Sequence, residues 1–123
     1  MEIMQSPGMP KANGHYSMCV EHNGTLYLSG QLPLKEGTRE PVEGIQAQTQ
    51  LVLDKMNTIL KSAGSHKNSV IQVRIYLADI ELWDQVNEVY ASFFEDHKPA
   101  RVVVPTPKLH YGCLIELEAI AAH

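Results

Sequence analysis

The sequence predicts an α+β two-layer sandwich: one mixed β-sheet with two helices packed on one face. Three observations carry this. Five short segments rich in β-branched, aromatic and leucine residues are bounded by Gly, Pro or Asn-Gly punctuation. Two longer segments repeat apolar residues at steps of three, four and seven. The order reads β-β-α-β-α-β-β, and two helices separated by one strand fall on the same side of one sheet. A chain of 123 residues holds one domain, residues 1–123, with one core.

Residues 1–14 carry two prolines and two glycines and read as an extended arm. Ser17 to His22 is the first strand. Asn23-Gly24 supplies a tight turn, because both residues tolerate positive φ. Thr25 to Ser29 is the second strand, with Leu26 and Leu28 on one face and Thr25, Tyr27 and Ser29 on the other. Ser29-Gly30-Gln31 ends it, and Gly30 lets another chain or a ligand come close to the backbone. A polar loop spans Lys35 to Glu40.

The first helix is expected over residues 41–62, with Pro41 in its first turn and a stripe of Ile45, Val52, Met56, Ile59 and Ala63. Gly64 suits its left-handed cap. Ser69 to Leu77 is a strand with Ile71, Val73, Ile75 and Leu77 on one face. Asp79 is the N-cap of a second helix through Phe94, whose stripe is Leu82, Val86, Val89, Tyr90 and Phe93. Lys98-Pro99-Ala100 delivers the chain to the strand Arg101–Val104, and Cys113 to Ala121 is the last strand. The second sheet face carries Tyr27, Gln72, Arg74 and Tyr76, too mixed for a core and too apolar for full exposure. Association through that face is the expectation.

A net charge of −4 gives no general attraction to nucleic acid or to an anionic membrane surface. No apolar run approaches the roughly 20 residues of a membrane span. The N-terminus lacks the basic and apolar regions of a signal peptide, so the cytoplasm is the expected compartment. Cys19 and Cys113 lie outside any CxxC pair and read as small buried hydrophobes without a disulfide. The six histidines form no HxH, HxxxH or HExxH pattern, so no metal site is expected. Nucleotide-binding glycine motifs and GxSxG are absent from the sequence.

Two charged types stand inside apolar strands. Arg101 reads either as a surface ion-pair partner or as a bidentate grip on a ligand carboxylate. Glu116 and Glu118 share one strand face, opposite Ile115 and Leu117. Each is either solvated or a carboxylate that orients or deprotonates water. Tyr16 packs in the core or offers its hydroxyl to a ligand. Ser29 ends a strand or borders a pocket, and His110 is a solvated loop residue or a general base. Trp83 reads as helix packing.

Taken together, a set of segments resembles the RidA/YjgF family of reactive-intermediate imine and enamine deaminases. It comprises Tyr16-Ser17, Leu28-Ser29-Gly30-Gln31-Leu32-Pro33, Gln48-Thr49, Ala63-Gly64, Tyr76-Leu77-Ala78-Asp79, Asn87-Glu88-Val89-Tyr90, Phe93-Phe94, Pro99-Ala100-Arg101 and Gly112 through Ala121. The likeness runs from about Gly14 to Ala121, and its most specific marks are Pro-x-Arg and the closing Leu-Ile-Glu-Leu-Glu-Ala-Ile-Ala. The resemblance implies a fold like the bacillus type of chorismate mutase, three chains in a trimer, and ligand clefts between neighbouring subunits. It implies hydrolysis of 2-aminoacrylate-type enamines and imines to keto acid and ammonia, with no metal or organic cofactor. Carried onto this chain, Arg101 would hold the substrate carboxylate and Glu116 would position water. The backbone at Gly30 and Val103 would bind imine and water, and Ser29, Tyr16 and His110 would border the pocket. A trimer that captures small carboxylates without turnover, and a ribonuclease or translation-inhibitor role, are the competing readings. The acidic balance disfavours the ribonuclease.

The chain departs from the family pattern at Met18, Val103 and Leu109-His110-Tyr111-Gly112. Met18 and the apolar Val102–Thr106 run make the pocket less polar, which places substrate choice in the Pro105–Gly112 linker.

Overall fold

The Asn23-Gly24 turn sets the sheet register. Both residues have positive φ, 51° and 77°, in the computed structural model, which describes all 123 residues. This backbone twist matches that of paired strands. The chain order is β1 (Glu2–Ile3), β2 (Cys19–His22), β3 (Thr25–Gln31), α1 (Ile45–Ser62), β4 (Val70–Leu77), α2 (Trp83–Phe94), β5 (Ala100–Pro105) and β6 (Ile115–Ala122). The strands form one sheet in the order β1-β2-β3-β6-β4-β5. Only β4 and β5 run parallel, so the sheet is mixed, and both helices cover one face as an α+β sandwich.

The core lies between that face and the helices. Leu26, Val73, Ile75, Leu117, Met56 and Val86 are fully buried there or nearly so. Alternation along β6 is clean: Ile115, Leu117, Ala119 and Ala121 are buried, while Glu116, Glu118 and Ile120 point the other way.

Five expectations need correction, the last of them at the start of α2. Residues 1–14 are not wholly an extended arm, because Glu2–Ile3 pairs with Val20–Glu21 and adds an edge strand. The first helix starts at Ile45, not at Pro41. Pro41 bridges Leu34, and Gly44 has φ 88°, a conformation outside the helix. Ile71 does not join Val73 in the core. Val70 lies opposite Ala121 and Gln72 opposite Ile120, so Ile71 is a bulge residue, 49% exposed, and Val70 takes the buried place. The last strand begins at Ile115, because Cys113 closes a short 3₁₀ turn.

The helix ends follow their caps. Gly64, with φ 81°, donates its N–H to the Lys61 carbonyl, and Ser65 N–H reaches Leu60, a Schellman closure of α1. Asp79 does not cap α2 as expected: its carboxylate accepts from Glu81 N–H and starts the Ile80–Leu82 3₁₀ turn, and α2 begins only at Trp83 with Leu82 at its N-cap.

No helix covers the second sheet face. Tyr27 is 46% exposed, Val102 43% and Val104 37%, beside Arg74, Tyr76, Glu116 and Glu118. No helix is long and apolar enough to cross a membrane.

Candidate functional site

The expected site residues fall into two groups on opposite faces of the sheet. The first centres on Glu116. The β3 strand carries a bulge at Ser29-Gly30: Leu28 lies opposite Ala119, but Gln31 lies opposite Leu117. The bulge brings the Gly30 backbone under the Glu116 side chain. A Cβ at Gly30 would collide with Glu116 Oε2 and stand 3.2 Å from its Cδ. Only glycine leaves room for the carboxylate there.

Glu116 and Glu118 share a face but not an environment. Glu118 accepts from Arg74 Nη1 at 2.9 Å and from the Tyr76 hydroxyl at 3.4 Å. The Glu116 carboxylate has no such partner. Burial raises its pKa above the usual carboxylate value, the nearby His110 opposes this, and the Glu118 charge adds to it. A half-buried carboxylate of raised basicity, facing the uncovered side of the sheet, is suited to accept a proton from water.

His110 is exposed at the start of the Leu109–Cys113 turn. Its ring stands edge-on to Tyr111 at 5.4 Å, and Arg39 lies over the other aromatic at 5.6 Å. The Ser29 hydroxyl donates to the Ser17 carbonyl at 2.6 Å, and the Ser29 amide donates to Met18. The buried Gln31 amide donates to the Ser29 carbonyl and contacts Met18 Sδ. Ser29 thus fixes the approach of the Tyr16–Met18 segment. Tyr16 is not buried in the core: it is half-exposed and lines a groove with Met4, Met9 and Met18.

The second group centres on Arg101. Arg101 lies beside Val73 in the parallel β4–β5 pair and therefore projects to the helix side. Its guanidinium sits over Trp83 at 4.5 Å and over Tyr90 at 4.7 Å, and Nη1 donates to Asn87 Oδ1 at 3.1 Å. Val103 lies beside Ile75 and is half-buried on the same side. β5 is the sheet edge, so one row of its backbone groups is unpaired. Burial pushes the Tyr90 hydroxyl up to about 12 against the opposing Arg101 charge, and its oxygen has no hydrogen-bond partner.

One chain thus gathers Gly30, Glu116 and His110, places Ser29 and Tyr16 beside them through Ser17, and holds Arg101 with Val103 elsewhere. Asn87, Trp83 and Tyr90 were not singled out as site residues by spacing. Their signal is a 4-then-3 recurrence along one face of α2, which the apolar stripe shares and so conceals. No group of three or more His, Cys, Asp or Glu side chains could hold a metal ion. Cys19 and Cys113 are buried free thiols, and burial pushes Cys19 up to about 11.

The family model described as Endoribonuclease L-PSP matches residues 7–123. A RutC family protein of Pyrococcus horikoshii is 41% identical over 98% of this chain and 96% of its own. The chloroplastic Reactive Intermediate Deaminase A of Arabidopsis thaliana is 37% identical over 98% of this chain and 65% of its own. The crystal structure of E. coli TdcF with bound serine superposes with a TM-score of 0.90 at 29% identity, covering 100% of this chain and 99% of that one. A model match across nearly the whole chain and relatives of this identity establish that the chain belongs to the RidA/YjgF family.

Proposed function

We propose that the protein is a cofactor-independent deaminase of small imines and enamines that carry a carboxylate. The observation that carries this reading is the unpaired Glu116 carboxylate held on Gly30, with its basicity raised by burial. The relative named Reactive Intermediate Deaminase A and the serine bound to TdcF support both the reaction class and the ligand size.

The active unit in this reading is a homotrimer built through the uncovered sheet face. Arg101 of one subunit grips the substrate carboxylate, and Glu116 of the next positions water. A 2-aminoacrylate-type enamine first takes a proton on carbon and becomes the iminium. Water then attacks the iminium carbon while Glu116 accepts its proton. That proton passes to the departing nitrogen, the carbinolamine hydroxyl gives its own proton to Glu116 as the C–N bond breaks, and keto acid and ammonia leave; Glu116 returns the proton to solvent, which replaces the one the enamine carbon took. The iminium is already electrophilic, so orientation and one poised water supply most of the required acceleration.

The test generates 2-iminobutyrate in situ and follows its loss. The expected result is keto acid and ammonia formed faster than in buffer. Arg101→Ala should lose binding and turnover together, and Glu116→Ala should keep carboxylate binding and lose rate. Carboxylate binding without acceleration would replace this reading by simple capture. RNA cleavage that survives Arg101→Ala would point to a separate activity, which an acidic chain does not favour.

A further inference from the structure

Arg101 is exposed, yet it is held on three sides. Trp83, Asn87 and Tyr90 follow one another along one face of α2 at intervals of four and three residues. Their side chains meet the guanidinium as a face, an oxygen and a face, at 4.5, 3.1 and 4.7 Å. The helix itself is fixed, because Val86, Tyr90, Phe93 and Phe94 are buried in the core. A free arginine side chain loses much rotamer freedom when it grips a ligand, whereas this one has lost it in advance. The bond to Asn87 occupies Nη1. The edge formed by Nε and Nη2 remains uncommitted, and its two parallel N–H groups match the two oxygens of a carboxylate.

We infer that Trp83, Asn87 and Tyr90 are positioning residues that turn Arg101 into a directional receptor, presenting its Nε–Nη2 edge to a planar carboxylate. This rests on the reading above that Arg101 takes the substrate carboxylate. Trp83 then does more than pack α2: its ring face offsets part of the charge of the guanidinium and fixes its plane. Trp83 is the sole tryptophan, so its emission reports directly on the ligand that Arg101 holds.

The test titrates the wild-type protein with 2-oxobutanoate by calorimetry and by tryptophan fluorescence. Both should give one dissociation constant, with Trp83 emission changing as the site fills. Trp83→Leu should raise that constant about three- to five-fold, and Trp83→Phe, which keeps a π-face, should restore most of the loss. Asn87→Ala should weaken binding similarly and gives a second variant if Trp83→Leu melts early. In turnover of 2-iminobutyrate both losses should appear in KM, with kcat little changed, which a general loss of fold would not produce. Calorimetric binding with silent Trp83 emission and unaltered affinity in Trp83→Leu and Asn87→Ala would overturn the inference and leave the carboxylate reading standing. No binding of 2-oxobutanoate by the wild-type protein would overturn both.

Discussion

Glu116 and Glu118 stand two residues apart on one strand, and periodicity gives them the same face. Their difference comes from the neighbouring strands: β4 brings Arg74 and Tyr76 to Glu118, and the β3 bulge brings Gly30 under Glu116. Cross-strand neighbours are set by register, which a single strand's pattern does not contain. The strand pattern alone therefore does not separate the two glutamates, and only the family resemblance singles out Glu116. Two predictions belong here. Glu116→Gln should lower kcat by about a hundredfold or more. In the wild-type protein kcat/KM for the proposed reaction should fall on acidification through a pKa above 4.5, the side on which Glu116 is raised. Stability moves the other way. The raised pKa means that ionising Glu116 costs folding free energy, so its favourable contribution is present below the unfolded value and is lost as pH rises through the folded pKa. Melting temperatures should show Glu116→Gln gaining on wild type towards neutral pH, with the gap closing below about pH 4.5. Gly30→Ala should displace the carboxylate and remove turnover while the far-ultraviolet circular dichroism stays that of the folded protein.

At the scale of elements, strand cores and the α1 stripe were legible because burial follows period 2 and period 3.6. The misplacements have local causes. Ile71 reads as a core residue by alternation, but the bulge flips it outward and Val70 inward. Pro41 reads as a helix start, but the Leu34–Pro41 bridge and the positive φ of Gly44 delay the helix to Ile45. α2 ends on a different feature. Glu95 follows Phe94 at φ 58° and ψ −119°, a combination that glycine adopts freely and a residue with a Cβ does not. Its N–H still closes on the Ala91 carbonyl, and its exposed carboxylate only approaches, at 3.8 Å, Lys67, whose Nζ already donates to the Phe93 carbonyl. Glu95→Gly should therefore stabilise the fold by about 1 kcal/mol in urea unfolding, since strain relief exceeds the loss of a surface pair. A destabilised variant would mean that the Lys67 contact outweighs the backbone strain.

At the scale of the molecule, the sheet has one face in the core and one without cover. Tyr27, Val102 and Val104 are apolar groups of a size that a second chain buries, and Arg74–Glu118 gives that face an internal ion pair. Val104→Asp should drive the proposed trimer to monomers in sedimentation velocity, and turnover should fall with it, because a monomer keeps Arg101 and Glu116 on opposite faces. A monomer that retains full activity would break the link between assembly and site. The separation itself was only half legible. Alternation showed which residues share a strand face, but the faces of Arg101 and Glu116 relate only through the β4 register.

In the proposed site Arg101 and Glu116 act together only across two chains. Complementation measures it directly. Arg101→Ala and Glu116→Ala subunits, each inactive alone, are unfolded together, refolded as a mixture, and checked for mixed trimers by native mass spectrometry. With equal amounts, about a quarter of the sites should combine an intact Arg101 from one subunit with an intact Glu116 from its neighbour, and activity should return to about that fraction of wild type. Mixed trimers that form and stay as inactive as their parents would contradict the claim.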